Sequence, residues 1–451
     1  MSAIARWVVC LGLWLCLGAW THGTTAPQTA DPLASQATQN VLTYLQNVGR
    51  RSNHRVVTGQ YFGAAGYEAA GWTTNIVALY SATGQYPGIV GADYNDWNAN
   101  STPPDVVDYT TLNNYIKTAA TSGSIITIGW HARNPFVDAS VSDMRCNGGT
   151  LADLVNPSTA ITVLGTSTSV YAAWHAQLDA IAAGLGDLQA SAIPILWRPL
   201  LEQNSSSYWY MSCNQNMAQF QALWVDMFNY LTVAKGLHNL LWVFASNGPW
   251  QNTGGCPGVQ GESGICLYPG AAYVDVVGLD GYSNTTGPMP DAFTDDWRAW
   301  SRFGKVLVFA ERGPSYKSWA ASTAYAAGYI IGTADKYGNY GYITNASCVS
   351  GSTVPVGAAN VTDGTCNWIY SIDPTNMWGR ILPDLVSNGK SSVPAVPYFQ
   401  AWAFPWSIAA SPGATTLMSD PNAANQADVA AVMACMATAT TYAARVACAL
   451  N

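Results

Sequence analysis

Residues 193–204 read IPILWRPLLEQN. The run is apolar without alternation up to Trp197. It then takes Arg198 and Pro199, and it ends on a lone carboxylate, Glu202, with Tyr208, Trp209 and Tyr210 just beyond. Near-continuous apolar runs suit strands covered on both faces, as in parallel sheets. A carboxylate at the end of such a strand is costly unless it is paired or used.

Seven more runs repeat this grammar: RVVTGQYF (55–62), YPGIVGADY (86–94), SIITIGWHARNP (124–135), NLLWVFASN (239–247), YVDVVGLDGY (273–282), KVLVFAERG (305–313) and VPYFQAWAFPW (396–406). Helix-like stretches lie between several of them. TTLNNYIKTAATSG precedes the third run, VYAAWHAQLDAIAAGLGDLQASA the fourth, MAQFQALWVDMFNYLTVAKGLH the fifth and DPTNMWGRILPDLV the eighth. Strand and helix alternating eight times predict an α/β fold, the (β/α)8 or TIM barrel. One domain is expected over residues 31–451, closed by helices in the tail. Its long connections follow strands three, five and seven, on the face where barrel active sites are built.

Only four glutamates occur: Glu68, Glu202, Glu262 and Glu311. Two of them close predicted strands, Glu202 the fourth and Glu311 the seventh. Those strands face each other across a barrel mouth, so the carboxyls can converge. Two carboxylates about 5–5.5 Å apart are what a retaining glycosidase uses, one as nucleophile and one as acid and then base. The competing reading pairs each glutamate with a neighbour such as Arg198 or Arg312.

Composition points the same way. Charged residues are 10% of the chain, against ~25% in typical soluble proteins. The formal net charge of −8 argues against a nucleic-acid partner. With 19 Trp and 24 Tyr but only 18 Lys and Arg, a neutral glycan fits better than a uronic-acid polymer. Predicted loops carry Tyr94, Trp97, Trp130, Tyr208, Trp209, Tyr210, Trp250, Tyr282, Tyr316 and Trp319.

At the N-terminus, one arginine (Arg6) precedes an apolar stretch from Trp7 to Ala19, which reads as a secretory signal peptide over residues 1–23. Leu15 before Cys16 fits a lipoprotein signal poorly. Export, no membrane anchoring after signal removal and a monomer are expected. Without Cys10 and Cys16, eight cysteines remain, an even number suited to disulfides. The simplest pairs are Cys256–Cys266, Cys348–Cys366 and Cys435–Cys448, leaving Cys146–Cys213. No Cys-x-x-Cys supports a zinc site.

The segment ILWRPLLEQNSSSYWY resembles the arginine-proline-x-His-Glu-x-Asn signature, with its aromatics, of glycoside hydrolase family 26, known mainly as β-mannanases. YPGIVGADY, ITIGWHARNP, KGLHNLLWVFASN and VDVVGLDGY resemble that family in the same order over most of residues 50–410. The resemblance implies a secreted enzyme cleaving a β-linked polysaccharide internally, with retention and without metal or cofactor. It implies Glu202 as acid/base and Glu311 as nucleophile. Tyr282 would hold the nucleophile and His131 would line the subsite of the sugar being cleaved. Trp402 would be that sugar's stacking floor, Arg198 would steady the carboxylates and Trp209 would bound a neighbouring subsite.

One departure bears on substrate. The family's His before the acid/base is Leu201 here, which donates no hydrogen bond. The contact normally made there is expected to be absent or supplied by another group, such as Gln203 or Asn204. An endo-β-1,4-mannanase is the first reading. The same chemistry on β-1,3-xylan or mixed-linkage β-glucan is the second, and a weakly active glycan-binding barrel the third. Asn134 reads equally as a sugar contact or as a cap of the turn before Pro135. Asp93 and Asp280 read equally as structural or functional.

Overall fold

The computed structural model describes residues 28–50, 55–95, 109–248, 264–283, 297–314, 396–403, 406–410 and 413–450, Leu385, and the backbone of four short strands between 330 and 371. The expected signal peptide, Cys256, Cys348, Cys366, Trp97, Trp250, Tyr316 and Trp319 lie outside the described residues, as does all but Leu385 of the helix expected before the eighth run. Among the described residues, no helix is long and apolar enough to cross a membrane.

Seven parallel strands form one sheet in sequence order: β1 (Gly59–Ala64), β2 (Ile89–Asp93), β3 (Ile125–Trp130), β4 (Ile195–Pro199), β5 (Leu240–Asn247), β6 (Val276–Ser283) and β7 (Val306–Pro314). Residues 398–401 close the ring. Phe399 bridges Phe309 of β7, and Ala401 bridges Gln60 of β1, both in parallel. The Ala401 amide donates to the Gly59 carbonyl at 2.9 Å and the Tyr61 amide to the Ala401 carbonyl at 2.8 Å. The result is a closed eight-stranded barrel with helices between strands.

The helices fall where apolar periodicity puts them: α1 (Gln36–Val48), α2 (Thr110–Thr121), α3 (Val170–Ala190), α4 (Met217–Phe228), α5 (Gln426–Thr438) and α6 (Tyr442–Leu450). Capping residues open four of them. Ser35 accepts from the Thr38 amide, Ser169 from the Ala172 amide, Asn216 from the Gln219 amide, and Asn425 and Asp428 form a capping box.

The unbroken apolar runs resolve into two cores. On β4 and β5, Ile195, Trp197, Trp242 and Phe244 pack outward against helices, while Leu196, Leu241 and Val243 point into the barrel. The inward set joins Tyr44 and Leu45 of α1 and Val429 and Val432 of α5 in one cluster, which plugs the N-terminal end of the barrel. Both faces of each strand are thus buried, as the lack of alternation in the sequence requires.

Two disulfides match the expected pairs, Cys146–Cys213 and Cys435–Cys448. Cys266 is also disulfide-bonded. A four-stranded antiparallel sheet (Ile330–Ile331, Tyr340–Ile343, Asn360–Thr362, Asn367–Ser371) elaborates the connection after β7. Its strands were not expected from the sequence.

Candidate active site

The inward parity of the strands aims polar groups at the C-terminal mouth. Leu196 of β4 faces inward, so Arg198 does too. On β6, Val276 faces inward, and alternation carries the same face to Asp280. Glu311 breaks this rule, because Ala310 already faces inward. A β-bulge corrects it: Leu279 pairs with Phe309, and the next residue, Asp280, pairs with Glu311, so Ala310 is the extra residue. Such a bulge re-aims a side chain, and here it turns Glu311 into the barrel beside Asp280.

Glu202 reaches the mouth by a different device. Beyond Pro199, both Leu200 (φ 50°) and Glu202 (φ 49°) adopt the left-handed conformation, which residues with side chains visit rarely and at a cost. Neighbouring bonds hold the turn in place. The Leu200 amide donates to the Trp130 carbonyl at 3.0 Å and the Tyr210 hydroxyl to the Leu201 carbonyl. Gln203 donates to the Ser246 hydroxyl at 2.6 Å, and Asn204 exchanges two hydrogen bonds with the backbone of Asn247. Gln203 and Asn204 are therefore committed to β5 and do not replace the family's histidine contact.

Oxygens of Glu202, Asp280 and Glu311 all lie within 4.8 Å of one another. This donor set surrounds a fixed cation. Arg198 donates to Glu311 and to the Ala310 carbonyl, and its Nη2 lies 3.8 Å from Asp280. Burial alone would favour loss of the Arg198 proton, but Asp280 and Glu311 outweigh it and hold the guanidinium charged. Burial, with the Glu311 charge beside it, pushes the Glu202 carboxyl up to about 7. Tyr208 reaches it with its hydroxyl at 3.4 Å, and Asn247 also bonds to it. Burial raises Asp280 well above the carboxylate range, despite Arg198. The cluster thus holds one carboxylate clamped by a guanidinium and a second carboxyl that keeps its proton near neutrality.

His131 follows β3 and pairs with Asp93 at the end of β2; Asp93 also accepts from the backbone amides of His131 and Asn95, at 3.3 and 3.0 Å. Burial pushes the imidazole pKa down, and the Asp93 carboxylate more than reverses this, leaving it raised. Asp93 therefore orients His131. The Trp402 ring, half-buried, sits 4.2 Å from Tyr61 and 6.1 Å edge-on from His131. Tyr282 lies on β6 opposite Gly313 of β7, two residues beyond Glu311; its side chain lies outside the described residues.

Several expectations are corrected. Trp209 does not border a subsite. It is fully buried, donates its ring N–H to the Ala132 carbonyl at 2.7 Å and packs on Phe136 and Trp174. Sharing the turn with Glu202 does not make it face the mouth; its neighbour Tyr208 does. Tyr94, Trp130 and Tyr210, expected in sugar-facing loops, are core residues. Of its two expected roles, Asn134 takes the cap of the turn, accepting from the Phe136 amide and donating to the carbonyls of Asp143 and Arg145.

Leu201 is fully buried and points down into the barrel. A Cβ on Gly129 would lie 3.2 Å from both of its methyls and 2.3 Å from the Tyr61 hydroxyl. Sequence reasoning missed Tyr61, whose ring lies under Arg198 at 5.8 Å and whose hydroxyl is buried against the Gly129 backbone. Its signal was available, since it is a polar-tipped residue at an inward position of β1. Asn247, the polar residue that ends β5, carried a similar signal.

The sequence profile described as Glycosyl hydrolase family 26 matches residues 30–329. The mannan endo-1,4-beta-mannosidase A and B of Caldalkalibacillus mannanilyticus is 31% identical over 314 residues, which cover 68% of this chain and 56% of that protein. A mannan endo-1,4-beta-mannosidase of Bacillus subtilis is 29% identical over 329 residues, 69% of this chain and 81% of the relative. The solved structure of a Bacillus subtilis mannanase is similar in fold, with a TM-score of 0.64 over 90% of this chain and 96% of that one, at 21% identity. With a profile spanning well over half its length and a relative above 30% identity across 68% of it, the chain belongs to glycoside hydrolase family 26.

Proposed function

We propose that the chain is a secreted retaining glycoside hydrolase that cuts β-1,4-mannan internally by double displacement. One observation carries the reading: two carboxyls with oxygens within 4.8 Å stand in opposite environments. Oxygens this close accord with the ~5–5.5 Å carboxyl separation of retaining enzymes rather than the ~6.5–9.5 Å of inverting ones. Glu311, clamped by Arg198, attacks the anomeric carbon. Glu202 gives its proton to the departing glycosidic oxygen, and a covalent glycosyl-enzyme remains. Glu202, now ionised, takes a proton from water. The hydroxyl attacks the anomeric carbon, the bond to Glu311 breaks, and both carboxyls regain their starting states.

Around this centre, Trp402 is the floor for the sugar being cleaved, His131 a hydroxyl contact on the same sugar, and Tyr282 the partner of the nucleophile. Tyr208 takes the place bordering a neighbouring subsite first expected for Trp209. Mannan is favoured because the relatives named above carry that activity in their names. Leu201 favours a second polymer, β-1,3-xylan or mixed-linkage β-glucan, because an apolar residue stands where the family has a hydrogen-bonding one.

Reducing-sugar release from galactomannan, glucomannan, β-1,3-xylan and barley β-glucan, by wild type and Glu311→Ala, tests the proposal. Release from the mannans that vanishes in the variant is expected. Release from β-1,3-xylan or barley β-glucan alone moves the substrate to the second reading. No release from any polymer by folded wild type refutes hydrolysis.

A further inference from the structure

Tyr61 is buried on β1, and its side chain crosses the barrel beneath the catalytic mouth. Its hydroxyl reaches the Gly129 backbone on β3, two strands along. Its ring lies under the Arg198 guanidinium of β4, three strands along. The two strands between leave room for it. A Cβ on Gly91 of β2 would lie 1.8 Å from Gln400 Nε2 and 2.8 Å from Tyr61 Cδ2, and one on Gly129 would lie 2.3 Å from the Tyr61 hydroxyl oxygen. Glycine weakens a strand interior and marks a close approach there, so β2 and β3 both forgo a side chain where this ring passes.

Arg198 directs its two terminal nitrogens at the Ala310 carbonyl and at Glu311. Its Nε is buried and meets no hydrogen-bond acceptor among the described residues. The Tyr61 ring, 5.8 Å from the guanidinium carbon, gives this cation an electron-rich face within cation–π range. Trp402 packs on the same ring at 4.2 Å, tilted by 31°, but Trp402 has a second anchor. Gln60 donates from Nε2 to the Trp402 carbonyl at 2.8 Å, and its Oε1 accepts from the Ile408 amide at 2.8 Å. The clamp on Glu311 therefore depends on Tyr61 more than the sugar's stacking floor does.

We propose that Tyr61 is a positioning residue for the nucleophile: its ring sets where the Arg198 guanidinium sits, and Arg198 in turn holds Glu311 toward the anomeric carbon. The inference rests on the glycan-hydrolase reading above. Buried against Trp402, Tyr61 acts on the reaction through Arg198. A nucleophile misplaced by about 1 Å can cost about a hundredfold in rate. That loss falls on kcat, because a misplaced carboxylate weakens the transition state and leaves ground-state binding on Trp402 in place.

The test uses Tyr61→Leu and Tyr61→Met, which remove the ring and keep apolar bulk, and Tyr61→Phe, which keeps the ring. Each is compared with wild type on mannopentaose, with urea unfolding to show that it is folded under assay conditions. Crystal structures of wild type and the two ring-less variants locate Arg198. The expected result is a fall in kcat of about tenfold to a hundredfold in both ring-less variants, with KM within about threefold and Tyr61→Phe within about twofold of wild type. The Arg198 guanidinium should be displaced from Glu311 in the ring-less variants alone. A purely structural ring would lower the unfolding free energy and leave kcat per folded molecule unchanged, and that result overturns the proposal. So does a raised KM at unchanged kcat, which would assign the ring to Trp402. If wild type does not turn over mannopentaose, the mannan-hydrolase reading fails instead, and the crystal structures decide the positioning alone. A displaced Arg198 then supports it, and an Arg198 that stays on Glu311 overturns it.

Discussion

The raised pKa of Glu202 sets how the enzyme should respond to pH, in activity and in stability alike. The acid step needs the protonated carboxyl. With a value of about 7, the protonated fraction is about 90% at pH 6 and about 10% at pH 8, and kcat/KM then falls about tenfold per further pH unit. An unperturbed glutamate would place the same limb near pH 4.3. Stability follows with the opposite emphasis. The folded-state pKa lies above the ordinary 4.5, so the fold prefers the neutral form. Below pH 4.5 the group is protonated in both states and costs nothing. As pH rises through the window from 4.5 to about 7, the unfolded chain ionises first and the fold loses stability. The full shift corresponds to roughly 3 kcal/mol at about 1.36 kcal/mol per pH unit. The side chain is partly open to solvent, which screens the charge and brings the expected cost to about 1–3 kcal/mol.

Glu202→Gln keeps the shape and cannot ionise. It should match wild type in denaturant unfolding at pH 4.5 and exceed it by that amount at pH 8, while losing hydrolysis of unactivated glycans. The assays are kcat/KM between pH 4 and 9 and urea unfolding at the two pH values. An alkaline limb below pH 5.5, or a variant no more stable than wild type at pH 8, refutes the account of Glu202.

Burial pushes the Asp280 carboxyl up despite the Arg198 guanidinium 3.8 Å away; Asp280→Asn is expected to retain kcat within a few-fold, and a thousand-fold loss would show that Asp280 is needed as an anion beside Arg198. Trp209→Phe should lower the unfolding free energy by about 1–3 kcal/mol, as a core truncation, and leave KM unchanged; a raised KM would return Trp209 to the substrate. The Cys146–Cys213 bond closes a loop of 67 residues. Cys146→Ser with Cys213→Ser should therefore cost about 2–4 kcal/mol in urea unfolding, and a change below 1 kcal/mol would contradict this.

The barrel was legible in the sequence because burial on both faces writes unbroken apolar runs, and eight of them recur. Arg198 came from the family resemblance, and Asp280 was left open between a structural and a functional role; the inward parity of β4 and β6 turns both to the mouth. Glu311 was found at its strand end, although strict alternation would aim it outward. The bulge at Ala310 that corrects it follows from backbone pairing with β6, which local sequence does not encode. Trp209 was misplaced for a related reason. After β4 the chain leaves the period of two, and the positive φ angles at Leu200 and Glu202 decide which of Tyr208, Trp209 and Tyr210 meets the mouth. Composition overstated the sugar-facing aromatics, since a ring in a barrel loop packs under that loop as readily as above it. Tyr94 stacks on Tyr109 at 3.9 Å. The packing of Tyr61 on Trp402 joins β1 to a segment more than 300 residues later in the chain, so only the closed barrel shows it.

The central claim is a double displacement at Glu202 and Glu311, and the stereochemistry of the first product tests it most directly. Proton NMR during the first minutes of mannohexaose hydrolysis separates the β from the α reducing end before mutarotation mixes them. The account predicts that the β anomer appears first and relaxes toward equilibrium. An α anomer appearing first would mean direct displacement by water, and the pairing of these two carboxyls as nucleophile and acid/base would be wrong.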